Sequence, residues 1–349
     1  MTKQFDLTSL CLQEMERAVA GIGEKPYRAK QILKWVCRKR VPGIEYMTDL
    51  SKPLRSRLRE TAFVYHAAPE KIAVSKDGSK KFLFRTEDGY GVESVLIPEK
   101  NHVTICISTQ IGCAMKCRFC YTGTGGLVRN LSVSEILNQV YAVLRTMDMG
   151  DGGLPNIVFM GMGEPLANYD NTVKSIQILL APWGANFSHR KVTVSTCGLP
   201  PQMQKLSDDL PLNLAISLNA PNDKIRNLLM PVNRKFPIKD LLQAAKQFPL
   251  PSRKRITFEY ILIKDVNDSP DNARELGRLL QKIPCKINLI PFNEHPAVTF
   301  KQSPERSIRA FQTVLHELNF TAPIRRSKGT DIAAACGQLG DNKKSHSHT

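Results

Sequence analysis

The sequence predicts an α/β fold: an open, partial (βα)6 barrel, preceded by a helical N-terminal domain and a short β-hairpin linker. Three observations carry this. From residue 102 onward, short apolar runs alternate with helix-length amphipathic segments, the pattern of a parallel sheet with helices outside. The rhythm repeats about six times, too few for a closed eightfold barrel. Before it, the first stretch of the chain, to about residue 65, has helical periodicity.

In chain order, "YRAKQILKWVCRKR" places Ile32, Leu33 and Val36 at helical spacing among basic residues. "MTDLSKPLRSRLRE" reads as a second helical unit, with Ser51 or Asp49 as cap candidates and Pro53 in its first turn. "KKFLFRT" and "GVESVLIPE" flank the turn "EDGYG" and predict a hairpin. The barrel strands are then "VTICIST", "NIVFMG", "KVTVST", "LNLAIS", "ITFEYILI" and "KINLIP". Among the intervening helices are "SVSEILNQVYAVLRTM", "YDNTVKSIQILLA", "SPDNARELGRLLQKI" and "PERSIRAFQTVLHEL". The resulting division is a helical accessory domain over 1–68, the linker over 69–98, the core over 99–338 and a polar tail over 339–349 expected to be disordered. In such a barrel, functional residues belong at the C-terminal ends of the strands.

With 349 residues, 42% hydrophobic and 23% charged, the chain can bury a sizeable core and reads as a soluble globular protein. The N-terminal "MTKQFDLTSLCLQEMERAV" has acids inside its apolar stretch, which argues against a signal peptide or a membrane span. The expected compartment is the cytoplasm, where the nine cysteines are reduced thiols available for metal or redox chemistry. A net charge of +17 favours a polyanionic partner over a merely basic enzyme. "RAKQILKWVCRKR", "SKDGSKK", "PSRKR" and "PIRRSKG" together suit a broad nucleic-acid footprint, although each alone could be a solvated face.

Three of the nine cysteines, Cys113, Cys117 and Cys120, fall within "CAMKCRFC" at the end of the first barrel strand. A structural zinc site wants four closed ligands, commonly in two pairs, and no second pair is near. Three thiolates can instead hold an iron–sulfur cube with one iron left open. The C-x3-C-x2-C spacing resembles the signature of the radical-SAM superfamily. That likeness implies one 4Fe-4S cluster whose open iron chelates S-adenosylmethionine and cleaves it to a 5′-deoxyadenosyl radical.

Later strand ends agree. "FMGMGEPLAN" brings Gly163 and Glu164 into a glycine-rich turn, where backbone carbonyls and a carboxylate can share an ammonium group. "VSTCG" offers Ser195, "ISLNAPND" offers Ser217 and Asn219, and "NLIPFNEHP" offers Asn293. Cys106, in "TICIST", precedes the cluster motif on the same strand. Cys336 lies in "GTDIAAACGQLG", where small neighbours leave room around its sulfur. Taken alone, both read as buried structural cysteines.

Longer motifs narrow the family. "GxxxYRAKQILKWV", "MTDLSKPLRSRL", "GVESVLIPE", "STQIGCAMKCRFC", "GLVRNLSVSEILNQV", "FMGMGEPLAN", "INLIPFN" and "KGTDIAAACGQL" occur in the order found in RlmN/Cfr-type RNA methyltransferases. The chain resembles that family from about residue 8 to 340. The resemblance implies methylation of adenosine in 23S rRNA, and of tRNA in many members, with two S-adenosylmethionine molecules per turnover. It implies that Cys336 carries the methyl group, that Cys106 helps release the product with a Cys106–Cys336 disulfide, and that Glu93 accepts a proton. It further implies that Gly163, Glu164, Ser195, Ser217, Leu218, Asn219 and Asn293 contact S-adenosylmethionine. A monomer reduced by a donor such as flavodoxin with its reductase completes the expectation.

Two positions depart from the family pattern. Asn219 stands where Ser-Leu-His is usual, and Tyr121 where relatives have a small residue. The motif wording favours adenine C2 over C8. A different radical enzyme and a noncatalytic metal-containing RNA-binding protein are the competing classes. Solitary Cys197 and Cys285 speak against the first; iron analysis with reductive cofactor cleavage would test the second.

Overall fold

The computed structural model describes residues 4–147, 153–250 and 254–340. The N-terminal domain is tied at both ends by a short parallel pair, β1 (Phe5–Asp6) against β2 (Ala62–Phe63). Between them, α1 (Leu12–Gly21) opens with Glu14 reaching back to the Cys11 N–H at 2.8 Å, the reciprocal half of a capping box. α2 (Tyr27–Leu33) continues as a wider helical turn through Lys39. α3 (Lys52–Thr61) is capped by Ser51, whose hydroxyl accepts the Leu54 N–H. Asp49, the other cap candidate, instead accepts the Trp35 indole N–H. Met15, Val19, Ile32, Leu33, Leu54 and Leu58 close a core continuous with that of the barrel.

Residues 69–98 add three antiparallel strands: β3 (Pro69–Val74), β4 (Lys80–Arg85) and β5 (Gly91–Pro98). The hairpin expected from the sequence is β4–β5, and β3 joins its outer edge. β5 pairs in turn with the first barrel strand, β6 (Val103–Cys106), so the hairpin extends the barrel sheet.

All six expected barrel strands form. After β6, a short antiparallel pair, β7 (Gln110–Gly112) and β8 (Leu127–Asn130), brackets α4 (Tyr121–Thr124). Then follow α5 (Val133–Arg145), β9 (Asn156–Phe159), α6 (Tyr169–Leu180), β10 (Val192–Thr196), α7 (Pro200–Asp209) and β11 (Asn213–Ser217). The series ends with α8 (Asp223–Leu229), α9 (Ile238–Gln247), β12 (Ile256–Leu262), α10 (Pro270–Leu280), β13 (Cys285–Pro291) and α11 (Glu305–Glu317). β6 and β9 to β13 run parallel, each beside the next in sequence. Residues 321–325 cover the last edge, with the Arg325 N–H bonded to the Leu289 carbonyl at 2.8 Å.

Register divides the two faces of the sheet. Ile105, Ile157, Phe159, Val194, Ile216, Phe258, Tyr260 and Leu289 point outward beneath the helices and are wholly or almost wholly buried. Each such side chain contributes about 1.5–3 kcal/mol of hydrophobic stabilisation. Side chains alternate along a strand, so the inner face carries Glu93, Cys106, Val158, Ser195, Ser217, Glu259 and Asn288. That face is polar where the outer one is apolar.

The expected tail begins later than the sequence indicated. Leu339 is buried and Gly340 donates its N–H to Glu93, so both belong to the core; 341–349 lie outside the described residues. So do 251–253 of the basic run "PSRKR". No helix among the described residues is long and apolar enough to cross a membrane.

Candidate active site at the C-terminal ends of the strands

The loop bearing Cys113, Cys117 and Cys120 is closed by the β7–β8 pair. At its neck Gly112 has φ +74°, and a Cβ there would sit 1.9 Å from the Gly126 carbonyl oxygen, so only glycine fits. The Cys113 N–H bonds that same carbonyl at 2.8 Å. Farther round, the Arg118 N–H bonds the Leu229 carbonyl at 2.9 Å, seating the loop on the C-terminal end of α8. Phe119, Leu229, Met230 and Phe292 form an apolar cluster against which Cys117 and Cys120 pack.

Burial raises the pKa of all three thiols, that of Cys113 to about 12, and Glu164 pushes Cys113 and Cys117 up further. Among the described residues no three His, Cys, Asp or Glu side chains converge at single-ion spacing. Three soft thiolate donors, two of them packed on an apolar cluster, fit an iron–sulfur group.

The strand-end residues divide into two groups. Gly163 has φ +94°, and a Cβ on it would meet Gln110 at 2.5 Å, so close packing alone requires glycine there. Glu164 is buried, and its two oxygens accept the Leu166 N–H at 3.1 Å and the Cys197 N–H at 2.8 Å. Burial raises its pKa, and those backbone bonds oppose the shift. The hydroxyls of Ser195 and Ser217 lie half-buried on the inner face, without a protein partner among the described residues. These four can line a ligand.

The other three make bonds within the protein. Leu218 is fully buried, and its N–H and carbonyl bond Glu259 and Arg226. Asn219, in the left-handed region at φ +57°, is buried too. Its side chain accepts the Ile261 N–H at 2.9 Å and donates to the Met230 sulfur at 3.4 Å. Both polar atoms of its amide are thus bonded within the protein. Asn293 turns toward the C-terminal segment, donating to the Ser327 hydroxyl at 2.8 Å and the Cys336 carbonyl at 3.0 Å.

That segment is fastened directly to the cysteine loop. The Tyr121 N–H bonds the Gly337 carbonyl at 2.7 Å, and the Thr122 hydroxyl bonds the Leu339 carbonyl. Tyr121, the second departure, packs its ring against Gly340 and edge-on to His295. Cys336 opens to solvent at the barrel mouth; protein on its other sides raises its pKa, Glu259 adds to the rise, and Arg325 opposes it. Cys106 is buried among Val95, Met162, Ala334 and Leu339, so the flanks of Cys336 pack on Cys106. Burial raises the Cys106 pKa and the Cys336 sulfur adds to it. Both are free thiols.

Glu93 is buried on β5. It pairs with Lys81 at 2.8 Å and accepts the Gly340 N–H at 2.8 Å. Lys81 also donates to the Ala333 carbonyl at 3.2 Å. Together they hold the Cys336 segment on both sides of the cysteine. Sequence reasoning missed Lys81, Glu259 and Arg226. Glu259 was discoverable, because a carboxylate inside the apolar strand "ITFEYILI" implies a polar inner face.

Comparison with known proteins agrees with this geometry. A family model described as "Ribosomal RNA large subunit methyltransferase N-terminal domain" matches residues 5–64, and the radical SAM superfamily model matches 107–276. A protein of Geobacter sulfurreducens named dual-specificity RNA methyltransferase RlmN is 50% identical over 97% of this chain and 93% of its own length. A protein of the same name from Syntrophotalea carbinolica is 51% identical, covering 96% of this chain and 90% of its own. The crystal structure of a radical SAM methyltransferase from Sphaerobacter thermophilus superposes with a TM-score of 0.91 at 42% identity, over 96% of this chain and 99% of that one. With its N-terminal module, its three-cysteine loop and near-complete coverage, this chain belongs to the RlmN family of radical-SAM RNA methyltransferases.

Proposed function

We propose that this protein methylates C2 of adenosine in 23S rRNA and in tRNA, with Cys336 as the methyl carrier. One observation carries the mechanism: the segment bearing Cys336 is bonded to the cysteine loop on one side and packed on Cys106 on the other. Bound at Cys113, Cys117 and Cys120, an iron–sulfur cluster with S-adenosylmethionine would supply methyl groups and a hydrogen-abstracting radical. In this reading Gly163, Glu164, Ser195 and Ser217 would hold that cofactor, with Leu218, Asn219 and Asn293 beside them.

The remaining work falls to the chain. Cys336, at the open mouth, can present a methylated sulfur to an entering base. Cys106 lies behind it, where attack on the Cys336 sulfur would release the carbon to the base and leave a disulfide. Glu93 supplies a carboxylate at the same segment to accept the proton lost from the adenine carbon. The N-terminal domain presents Lys25, Lys30, Lys34 and Lys39, all exposed, for phosphate contacts. In this reading the enzyme works in the cytoplasm as a monomer, reduced by a donor such as flavodoxin.

The test uses Cys106→Ala expressed with its native RNA. Without Cys106 the base stays joined to Cys336, giving a nuclease-sensitive mobility shift on a denaturing gel that the double variant with Cys336→Ala lacks. Free turnover by Cys106→Ala, or a shift that survives loss of Cys336, would refute the two-cysteine mechanism. Mass spectrometry of nucleosides from a deletion strain fixes the position: loss of 2-methyladenosine supports C2, and loss of 8-methyladenosine refutes it.

A further inference from the structure

Arg226, on α8, is the largest fully buried side chain among the described residues. Its Nε donates to the Leu218 carbonyl at 3.2 Å and its Nη1 to Asn233 Oδ1 at 2.8 Å. Nη2 donates to the carbonyls of Cys197, at 2.5 Å, and Ser217, at 3.4 Å. Every acceptor is neutral. Among the described residues no carboxylate comes within ion-pairing distance of this guanidinium.

Two carboxylates are each held one group away. Asp223 is separated by Asn233, whose amide donates to Asp223 at 2.8 Å while its oxygen takes the Arg226 proton. Glu164 is separated by the backbone of Cys197, which gives its N–H to Glu164 and its carbonyl to Arg226. The side chains that face the guanidinium electrostatically are those of Cys117, Cys197 and Asp223. Helix α8 ends beneath the cysteine loop, where Leu229 takes the Arg118 N–H.

A guanidinium desolvated this fully costs several kcal/mol unless an anion compensates it, and neutral carbonyls offset only part of that. Arginine stays charged even here, because its proton affinity exceeds what burial can overcome. The anion it faces is the one the loop creates when Cys113, Cys117 and Cys120 become thiolates on a metal cluster. We propose that Arg226 is the fixed counter-charge of the three-cysteine site, a positioning residue that stabilises the loaded and reduced cluster from behind Cys117. The inference rests on the iron–sulfur reading of that loop.

A positive charge favours the more negative, reduced cluster, so its removal should lower the reduction potential. The experiment is a redox titration, followed by electron paramagnetic resonance, of reconstituted Arg226→Gln, Arg226→Met and Arg226→Lys without RNA. The neutral variants should reduce at least tenfold less favourably, a shift of about 59 mV to more negative potential for one electron. Arg226→Lys should stay close to the parent. Thermal melts of the same proteins with and without cluster add a second readout: loading should stabilise the neutral variants less than the parent.

Neutral variants with full iron content and an unmoved potential would overturn the proposal. So would Arg226→Lys shifting as far as Arg226→Gln, since geometry rather than charge would then be responsible. If Arg226→Gln does not fold, Arg226→Met, closer in shape and apolar, carries the same prediction. A parent protein that binds no iron would overturn the cluster reading itself, a result distinct from either of these.

Discussion

Glu93→Gln changes one charge and almost no volume, and the structure sets what it should do. Glu93 makes two bonds of 2.8 Å, to the Lys81 ammonium and to the Gly340 N–H. Its side chain is 7% exposed and that of Lys81 17%, so solvent screens the pair little. Breaking a fully buried pair costs about 3–5 kcal/mol because the partner charge is stranded. Lys81 is not stranded, since the Ala333 carbonyl already accepts from it. The loss is therefore nearer that of a charge-assisted hydrogen bond, about 1.5–3 kcal/mol.

That loss should appear locally first. The Lys81–Glu93 pair grips Ala333 and Gly340, three residues before and four after Cys336. Hydrogen exchange of 333–340, measured beside global denaturation, separates the two levels. Glu93→Gln should raise exchange across 333–340 by about tenfold or more and lower global stability by no more than about 3 kcal/mol. Unchanged exchange there would refute the latch and leave Glu93 a proton acceptor only.

Two further predictions follow from the same geometry. Cys113→Ala, Cys117→Ala or Cys120→Ala should each abolish cluster binding and reductive cleavage of S-adenosylmethionine, and full iron content in any of them would sink the assignment. RNA affinity should fall steeply with salt, and replacing Lys25, Lys30, Lys34 and Lys39 together should flatten the slope by about one unit for each phosphate no longer neutralised; a slope unchanged in that variant would make these lysines an ordinary solvated face. Arg38 is left out of that set because it bonds the carbonyls of Pro182 and Gly184 and so anchors the N-terminal domain to the barrel.

The difference between what was legible in the sequence and what was not has a physical basis. Strands and helices write themselves as periods of two and 3.6, so all six barrel strands could be read directly, and the cap of α3 was narrowed to Ser51 or Asp49. The three-cysteine loop was legible because its thiols lie within eight consecutive residues. The direction of the Asn219 side chain was not legible, because strand-end position does not reveal which way a side chain turns. Its left-handed backbone sends the amide back to Ile261 and Met230. Beneath the site, the relevant partners are remote in sequence. Lys81 reaches Ala333 across 252 positions, and Arg226 reaches Cys197 across 29.

These remote contacts also explain how the site can combine an exposed cysteine with a packed three-cysteine loop. In the proposed mechanism Cys336 meets a base from outside, whereas the cysteine loop packs on an apolar cluster. Two bonds from Tyr121 and Thr122 to main-chain carbonyls join the regions without covering the sulfur, because their acceptors, Gly337 and Leu339, lie after Cys336. On the other side Asn293 takes the Cys336 carbonyl and leaves the side chain free. Around the sulfur, the segment is thus fastened through its backbone. In the proposed mechanism a carrier thiol that accepts a methyl group and later gives up its carbon changes its bonding partners while its position stays fixed, and main-chain fastening allows that.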